Sequence, residues 1–280
     1  MSSNLYERIK NFYDSSSGLW ETVWGEHMHH GYYGQDGTLK KERRQAQVDL
    51  IGELLQWGGI DHAEHILDVG CGIGGSTVYL ADQFNCRGTG ISLSPVQVNR
   101  AQERAKATGL EDRLHFEVAN ALQMPYPDHH FDLVWSLESG EHMPDKEKFL
   151  SECYRVLKPG GTFLMATWCH RPIHEHPLTG DELKHLQAIY QVYCLPYVLS
   201  LPQYAQIAKE TGFHHLRTDD WSLAVAPFWN KVIQSALTPA AVFGLLRCGW
   251  MTIQAALSLR LMQKGYERGW VRFGLLYGIK

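Results

Sequence analysis

LDVGCGIGGS, residues 67–76, closes an apolar run on a cluster of glycines and opens an amphipathic one. HILDVG (65–70) predicts a buried strand ending in a glycine turn, and STVYLADQF (76–84) predicts the helix after it. Glycine is required where backbone turns tightly or comes close to a ligand or another element, because it has no Cβ. Gly70 permits the turn, Gly72 lets the backbone next to Cys71 approach a ligand, and Gly74 or Gly75 allows close helix packing. The alternation continues outward. GTGISL (88–93) reads as a second strand, and Pro95 starts a helix that runs to Gly109. RLHFEVA (113–119), FDLVWSLE (131–138) and GTFLMATW (161–168) add strands, with DKEKFLSECYRVL (145–157) as the helix before the last of these; a short strand pattern lies near 213–222, and VRFGLLYGI (271–279) is strand-like. This pattern predicts an α/β fold with a doubly wound, mostly parallel, Rossmann-like sheet that binds ligands beyond the carboxyl ends of its strands.

The glycine spacing alone leaves the ligand open. Gly70, Gly72 and Gly75 satisfy the dinucleotide pattern GxGxxG, whereas Gly70, Gly72 and Gly74 satisfy the GxGxG of S-adenosylmethionine enzymes. Asp68 favours the second, since a carboxylate before the turn repels a pyrophosphate and suits an ammonium and a sulfonium. A nicotinamide site also favours an acid at the end of the second strand, which here reads Ile91-Ser92-Leu93-Ser94. Ribose recognition then falls to hydroxyls and amides around Ser92, Leu93 and Gln97. Asn120, next to Ala121, ends the third strand where its amide can meet an adenine edge, and RVLKPGGTFLM (155–165) predicts a helix stop, a Pro-Gly turn and a strand. In this order the segments resemble the successive motifs of class I S-adenosylmethionine-dependent methyltransferases.

The resemblance narrows with three further stretches. FYDSSSGLWETVWGEHMHHGYYG (12–34), SLESGEHMPDKEKFLSECYRVLKPGG (136–161) and LMQKGYERGWVRFGLLYGIK (261–280) are similar to the γ-tocopherol C-methyltransferases and to the plant alkaloid N-methyltransferases of like sequence. The resemblance covers essentially the whole chain. It implies S-adenosylmethionine as donor and a chromanol phenol with a prenyl tail as acceptor, γ- or δ-tocopherol becoming α- or β-tocopherol. An alkaloid-like amine acceptor is the alternative within the class, and a nicotinamide oxidoreductase the alternative outside it. It also implies a single domain: an N-terminal cap (1–45), a donor-binding core (62–170), an acceptor-binding lid and insertion (171–268) and a final strand (269–280).

Composition bounds the setting. At 280 residues the chain can bury a core without disulfides, and its six scattered cysteines form no CxxC pair, which suits reduced thiols. The start MSSNLYERIKNFYD has charges where a signal peptide needs an apolar region. A cytoplasmic protein of cyanobacterial type is expected, or a plastid one whose leader has been removed. Nothing marks nucleic acid as a partner. The net charge of −4 hides an asymmetry: from Trp221 onward seven basic residues meet one acid, so the last sixty residues carry +6. PAAVFGLLRCGWMTIQAALSLRLMQKG (239–265) is long and apolar, yet Arg247, Gln254 and Arg260 interrupt it. Phe243, Leu246, Trp250, Ile253 and Leu257 gather on one side of a helical wheel, which predicts an amphipathic helix. It packs on the core or, with the charge of residues 239–272, contacts a membrane surface.

Methylation beside a phenol hydroxyl proceeds best from the phenolate, and a phenol of pKa around 10 is mostly protonated at neutral pH. A general base contributes typically ~10²–10⁴-fold, and histidine suits the role. His142 follows the fourth strand, with Glu138 and Glu141 beside it to orient or charge it; Glu138 is also a candidate to line the donor site. His27, His29 and His30 lie in WGEHMHHGYYG (24–34), a segment expected to fold over the site, and His170 ends the fifth strand. His27, His29 and His30 with Glu26 have metal-binding donors, but no second cluster completes a set and methyl transfer from a sulfonium needs no metal. Trp24, Tyr32 and Tyr33 are expected to wall the sulfonium and acceptor, since aromatic faces attract cations by about 0.5–2 kcal/mol.

Overall fold

A computed structural model describes residues 6–11, 13–14, 25–174, 176–236 and 250–280. Its centre is β1 (His65–Val69), paired in parallel with β2 (Arg87–Ser92) on one side and β4 (Phe131–Leu137) on the other. Parallel partners extend the sheet to β3 (Leu114–Val118) and β5 (Leu157–His170). Then β7 (Val271–Ile279) enters antiparallel to β5 and carries β6 (His214–Asp220) on its far edge. The order β3-β2-β1-β4-β5-β7-β6 is a doubly wound α/β sheet. An antiparallel strand between the fifth and sixth departs from the dinucleotide-binding order 3-2-1-4-5-6, and the nicotinamide reading loses its footing with it.

The strands read as continuous apolar runs because both faces are covered. Neighbouring residues sort to opposite sides: Ile66, Leu133 and Leu164 join a core with α1 (Arg43–Gly58), α2 (Gly75–Phe84) and α3 (Pro95–Ala107). Leu67, Val134 and Phe163 join a second core with α4 (Lys146–Val156) and α6 (Leu201–Thr211). Between them in sequence lies α5 (Gly180–Val192), and α7 (Ser222–Val225), α8 (Pro227–Ala236) and α9 (Trp250–Glu267) follow β6.

Three boundaries differ from expectation. The fifth strand begins at Leu157, four residues early, because the Pro-Gly segment is taken into a bulge: Phe131 pairs with Leu157 and Leu133 with Thr162, with Gly160 at φ +77° absorbing the extra residues. The helix from Pro95 stops at Ala107, and Gly109 turns the chain at φ +70°. The strand near 213–222 is a polar edge, His214–Asp220, whose exposed charges protect an unpaired sheet margin. Trp24, Phe243, Leu246 and Arg247, and the side chains of Trp250, Ile253, Gln254 and Leu257, lie outside the described residues. Among the described residues no helix is long and apolar enough to cross a membrane.

Candidate active site

Beyond the carboxyl ends of β1, β2 and β4 lies a cleft whose floor is Asp68, Gly70, Cys71 and Gly72. Ser92, Leu93 and Gln97 from β2 and the start of α3 form one side, and Asn120 and Ala121 after β3 the next. Glu138 and His142 after β4 complete the rim, with His27 and His29 above. The glycines divide their work. Gly70 sits at φ +84°, and a Cβ there would lie 2.2 Å from the Ser139 Cβ, because Ser139 Oγ donates to the Val69 carbonyl and ties the two strand ends together. Gly72, at φ +53°, faces open space: an added Cβ would meet only Met28 Sδ, at 3.8 Å. Gly74 packs against Ala101 and Phe116, so it is the helix-packing glycine and lies behind the cleft, whereas a Cβ on Gly75 would strike the Glu26 carbonyl at 2.3 Å.

Asp68 is buried and accepts one hydrogen bond, from Thr77 Oγ1 at 2.6 Å. Burial pushes its carboxyl up to about 7, with the Thr77 bond opposing. A buried carboxyl with a single neutral donor, at the edge of an open cleft, is an incomplete site that a ligand ammonium completes. Across the cleft Ser92 Oγ donates to Gln97 Oε1 at 2.7 Å and accepts from the Ser94 amide at 3.1 Å, while Gln97 Nε2 reaches Met28 Sδ at 3.9 Å, so both side chains are held at the rim where ribose hydroxyls were expected. Asn120 Oδ1 accepts from the Leu122 amide at 2.9 Å, so its acceptor is used locally and its NH₂ is the group left for a base edge.

The cap is fastened from both sides. Gln47 Nε2 on α1 donates to the carbonyls of His27 (2.6 Å) and His29 (2.8 Å). A carbonyl only accepts, so His29 Nδ1 donates to the His30 carbonyl at 2.8 Å, and its Nε2 accepts from His27 Nδ1 at 3.3 Å. Both His29 nitrogens are thereby engaged. Burial, then the neighbouring His29, lowers His27 to about 3, and burial lowers His29 as well, so both stay neutral. His142 closes the short 3₁₀ turn Gly140–His142, which Lys146 Nζ staples through the Gly140 and Glu141 carbonyls at 2.8 and 2.9 Å. Burial and the nearby Lys146 bring His142 to about 3. Its Nε2 is 2.7 Å from the Tyr13 hydroxyl, and burial raises Tyr13 so that this hydroxyl keeps its proton; which of the two donates follows the imidazole tautomer. The His142 Nε2 expected to act as base thus faces the Tyr13 hydroxyl of the roof.

Two expected partnerships are rearranged. Glu138 does not orient His142. Its Oε1 accepts from the His30 amide at 2.6 Å, and its Oε2 accepts from His30 Nδ1 at 2.8 Å and Trp168 Nε1 at 2.9 Å. Burial alone would raise this carboxyl, but the His30 ring and amide outweigh it and hold Glu138 below the usual range. Glu141 instead accepts from Thr167 Oγ1 at 2.6 Å, and burial lifts it to about 8. Tyr33 does not wall the cleft: it is fully buried, its amide bonded to the Ala224 carbonyl at 2.9 Å, while Tyr32 packs on Trp221. Both side chains point into the core because the cap must bury apolar area to stay down. His170 lies away from the cleft, its ring held by the Arg171 carbonyl at 2.6 Å. What residue-type reasoning passed over is the roof itself. Tyr6, Ile9 and Tyr13 line the cleft from the helical residues 6–11 and 13–14, at the i, i+3, i+7 spacing of one helix face. Ser94 Oγ, on the N-cap of α3, donates to Asp14 at 2.5 Å and anchors that roof.

A family model described as a methyltransferase domain matches residues 67–165. A probable chloroplastic tocopherol O-methyltransferase from Oryza sativa is 47% identical over 97% of this chain and 77% of its own length. A chloroplastic tocopherol O-methyltransferase from Arabidopsis thaliana is 43% identical over 97% and 81%. The chain belongs to the tocopherol methyltransferase family. Norajmaline N-methyltransferase from Rauvolfia serpentina is 34% identical over 95% of each chain. Among solved structures, a putative sarcosine dimethylglycine methyltransferase from Galdieria sulphuraria superposes with a TM-score of 0.81 at 26% identity, over 95% of this chain and 98% of that one. The protein is a class I S-adenosylmethionine-dependent methyltransferase, and the residues of the cleft fit that donor: the buried Asp68 carboxyl would meet the ammonium, the glycine backbone the amino-acid portion, and Ser92 and Gln97 the ribose.

Proposed function

We propose that this methyltransferase transfers a methyl group to a ring carbon next to the phenol hydroxyl of a prenylated chromanol, converting γ- or δ-tocopherol to α- or β-tocopherol. The observation that carries the reading is a buried aromatic cluster beside the donor cleft. Trp168 from β5, Tyr193 after α5, Phe228 and Trp229 from α8 pack edge to face with centroids 5.1–6.5 Å apart, and Glu138 is common to cluster and cleft. Aromatic side chains arranged edge to face offer a flat aromatic ring the same kind of contact they make with one another. An amine acceptor would want a free carboxylate, and Glu138, the carboxylate bonded to Trp168, already holds three N–H donors.

S-adenosylmethionine supplies a methyl already activated on a sulfonium. The chain's own tasks are alignment, exclusion of water and a sufficiently nucleophilic acceptor. The roof from Tyr6 to Asp14 and the cap from Glu26 to His30 serve the first two. Incubation with γ-tocopherol and methyl-labelled donor is expected to give a product with the label on a ring methyl and the phenol intact. Label in a methyl ether, or none at all, would sink the reading.

A prenylated acceptor is drawn from lipid. Arg260 and Lys264, exposed one turn apart on α9, and exposed Arg268 just past its end follow one another at i, i+4 and i+8, and make a cationic row suited to an anionic bilayer surface. Sedimentation with anionic vesicles should be strong at low salt and weak at high salt; absence at both removes the membrane contact.

A further inference from the structure

His30 Nε2 and the Tyr266 hydroxyl are both buried without a hydrogen-bond partner among the described residues. His30 is 1% exposed and Tyr266 8%. The two rings lie 5.5 Å apart between centroids, and Trp168, Phe228, Trp229 and Phe273 surround His30 at 5.1–5.9 Å. Folded proteins seldom leave such atoms unpaired, and the exceptions mark a place for water, a ligand or chemistry. The other side of His30 is fully specified. An ionised carboxylate only accepts, so the bonds into Glu138 place a proton on His30 Nδ1 and leave Nε2 as the ring nitrogen without a partner among the described residues. Glu138 is held there at φ +53°, a left-handed backbone unusual for a residue with a Cβ, and strain of this kind collects at functional sites.

We propose that His30 Nε2 and the Tyr266 hydroxyl together hold the acceptor's phenol oxygen, with His30 the general base and Glu138 its positioning residue. The inference rests on the phenol-acceptor reading above. Nε2 takes the phenol proton, and the O–H electron pair delocalises into the ring. The carbon next to the oxygen then forms a bond to the methyl as the methyl–sulfur bond breaks, its electrons staying on sulfur. The proton on that ring carbon leaves to solvent as His30 returns its own to the oxygen, so each turnover releases one proton. Burial keeps the Tyr266 hydroxyl protonated, hence a donor to the phenolate. With the oxygen occupied by Tyr266 and His30, the ring carbon is the exposed nucleophile, which accounts for carbon rather than oxygen as the methylated atom.

The test compares native protein, His30→Asn, Tyr266→Phe and Glu138→Gln on γ-tocopherol with labelled donor, alongside S-adenosylhomocysteine calorimetry and thermal melts. Asn retains an N–H toward Glu138 while removing Nε2. Its kcat should fall about 10²–10⁴-fold with donor affinity unchanged. The remaining rate should climb with pH toward the phenol's own pKa of about 10. Tyr266→Phe should raise the acceptor KM about tenfold, as loss of a hydrogen bond to a charged oxygen does. Its melting temperature should hold or rise, because the hydroxyl has no partner to lose. Glu138→Gln should lower kcat with the acceptor KM little changed, since the imidazolium formed in turnover loses its counter-charge. Native activity with His30→Asn equally active, or a destabilised Tyr266→Phe with unchanged KM, overturns the assignment alone. Native protein inactive on γ-tocopherol overturns the phenol reading and this inference with it. If His30→Asn no longer binds S-adenosylhomocysteine, the Tyr266→Phe pair of measurements decides.

Discussion

Gly72→Val is expected to lower S-adenosylhomocysteine affinity by at least ~100-fold while the fold stands, the loss of one close backbone approach and its hydrogen bonds being worth about 2–3 kcal/mol. Gly72 holds φ +53°, where a β-branched residue is strained, and its Cβ position opens into the cleft with only Met28 Sδ near, at 3.8 Å. The substitution therefore meets little protein and displaces ligand. Strain of about 1–2 kcal/mol should lower the melting temperature by only a few degrees in a domain of this size. Gly70→Ala provides the contrast. Its Cβ would lie 2.2 Å from the Ser139 Cβ, breaking the tie between the ends of β1 and β4, so stability and binding should fall together. Calorimetry and thermal melts on both variants check this. Gly72→Val binding S-adenosylhomocysteine like the native chain would remove the glycine loop from the donor site.

The sheet and the glycine loop were legible because buried parallel strands write themselves as apolar runs, and because glycine at a strand end has few other reasons to cluster. The final strand was read at its observed bounds, Val271–Ile279, from the same signal. β6 was blurred because an edge strand must be polar, so HHLRTDD carries little of the alternation that marks a strand. The ring of side chains around the cleft was harder. Asp68, Ser92, Gln97 and Asn120 sit at strand ends and follow from the fold, but Glu138 and His30 are joined across 108 residues of sequence, and no local spacing encodes that pairing. Glu141 and His142 stand nearer to Glu138 in sequence and were the natural guess. The left-handed backbone at Glu138 turns its side chain to the cap instead. Tyr33 failed for another reason: an aromatic in a cap has a core to fill as well as a ligand to touch, and the core took it.

Asp68 should make donor binding depend on pH. In the free protein, burial against a single Thr77 bond puts its carboxyl at about 7. A ligand ammonium favours the ionised form, so the complex keeps Asp68 charged well below that value. The sign follows: below pH 7 binding must expel a proton, and S-adenosylhomocysteine affinity should drop by up to about tenfold per pH unit from 7 toward 5, then level off above 8. The ligand-free protein should behave oppositely. Between roughly pH 4, where the unfolded carboxyl ionises, and pH 7, the folded state binds the extra proton, so stability declines as pH rises through that window. Lys146 and Glu141, at about 7 and 8, titrate nearby but outside the cleft, so the assignment needs a variant. Asp68→Asn should flatten the affinity profile, weaken binding at pH 8 by roughly tenfold or more, and abolish proton release at pH 6. Calorimetry in two buffers of different ionisation enthalpy counts that proton directly. A native affinity constant between pH 5.5 and 8 would show that no buried carboxyl answers the donor's ammonium, and the role of Asp68 would reduce to its bond with Thr77.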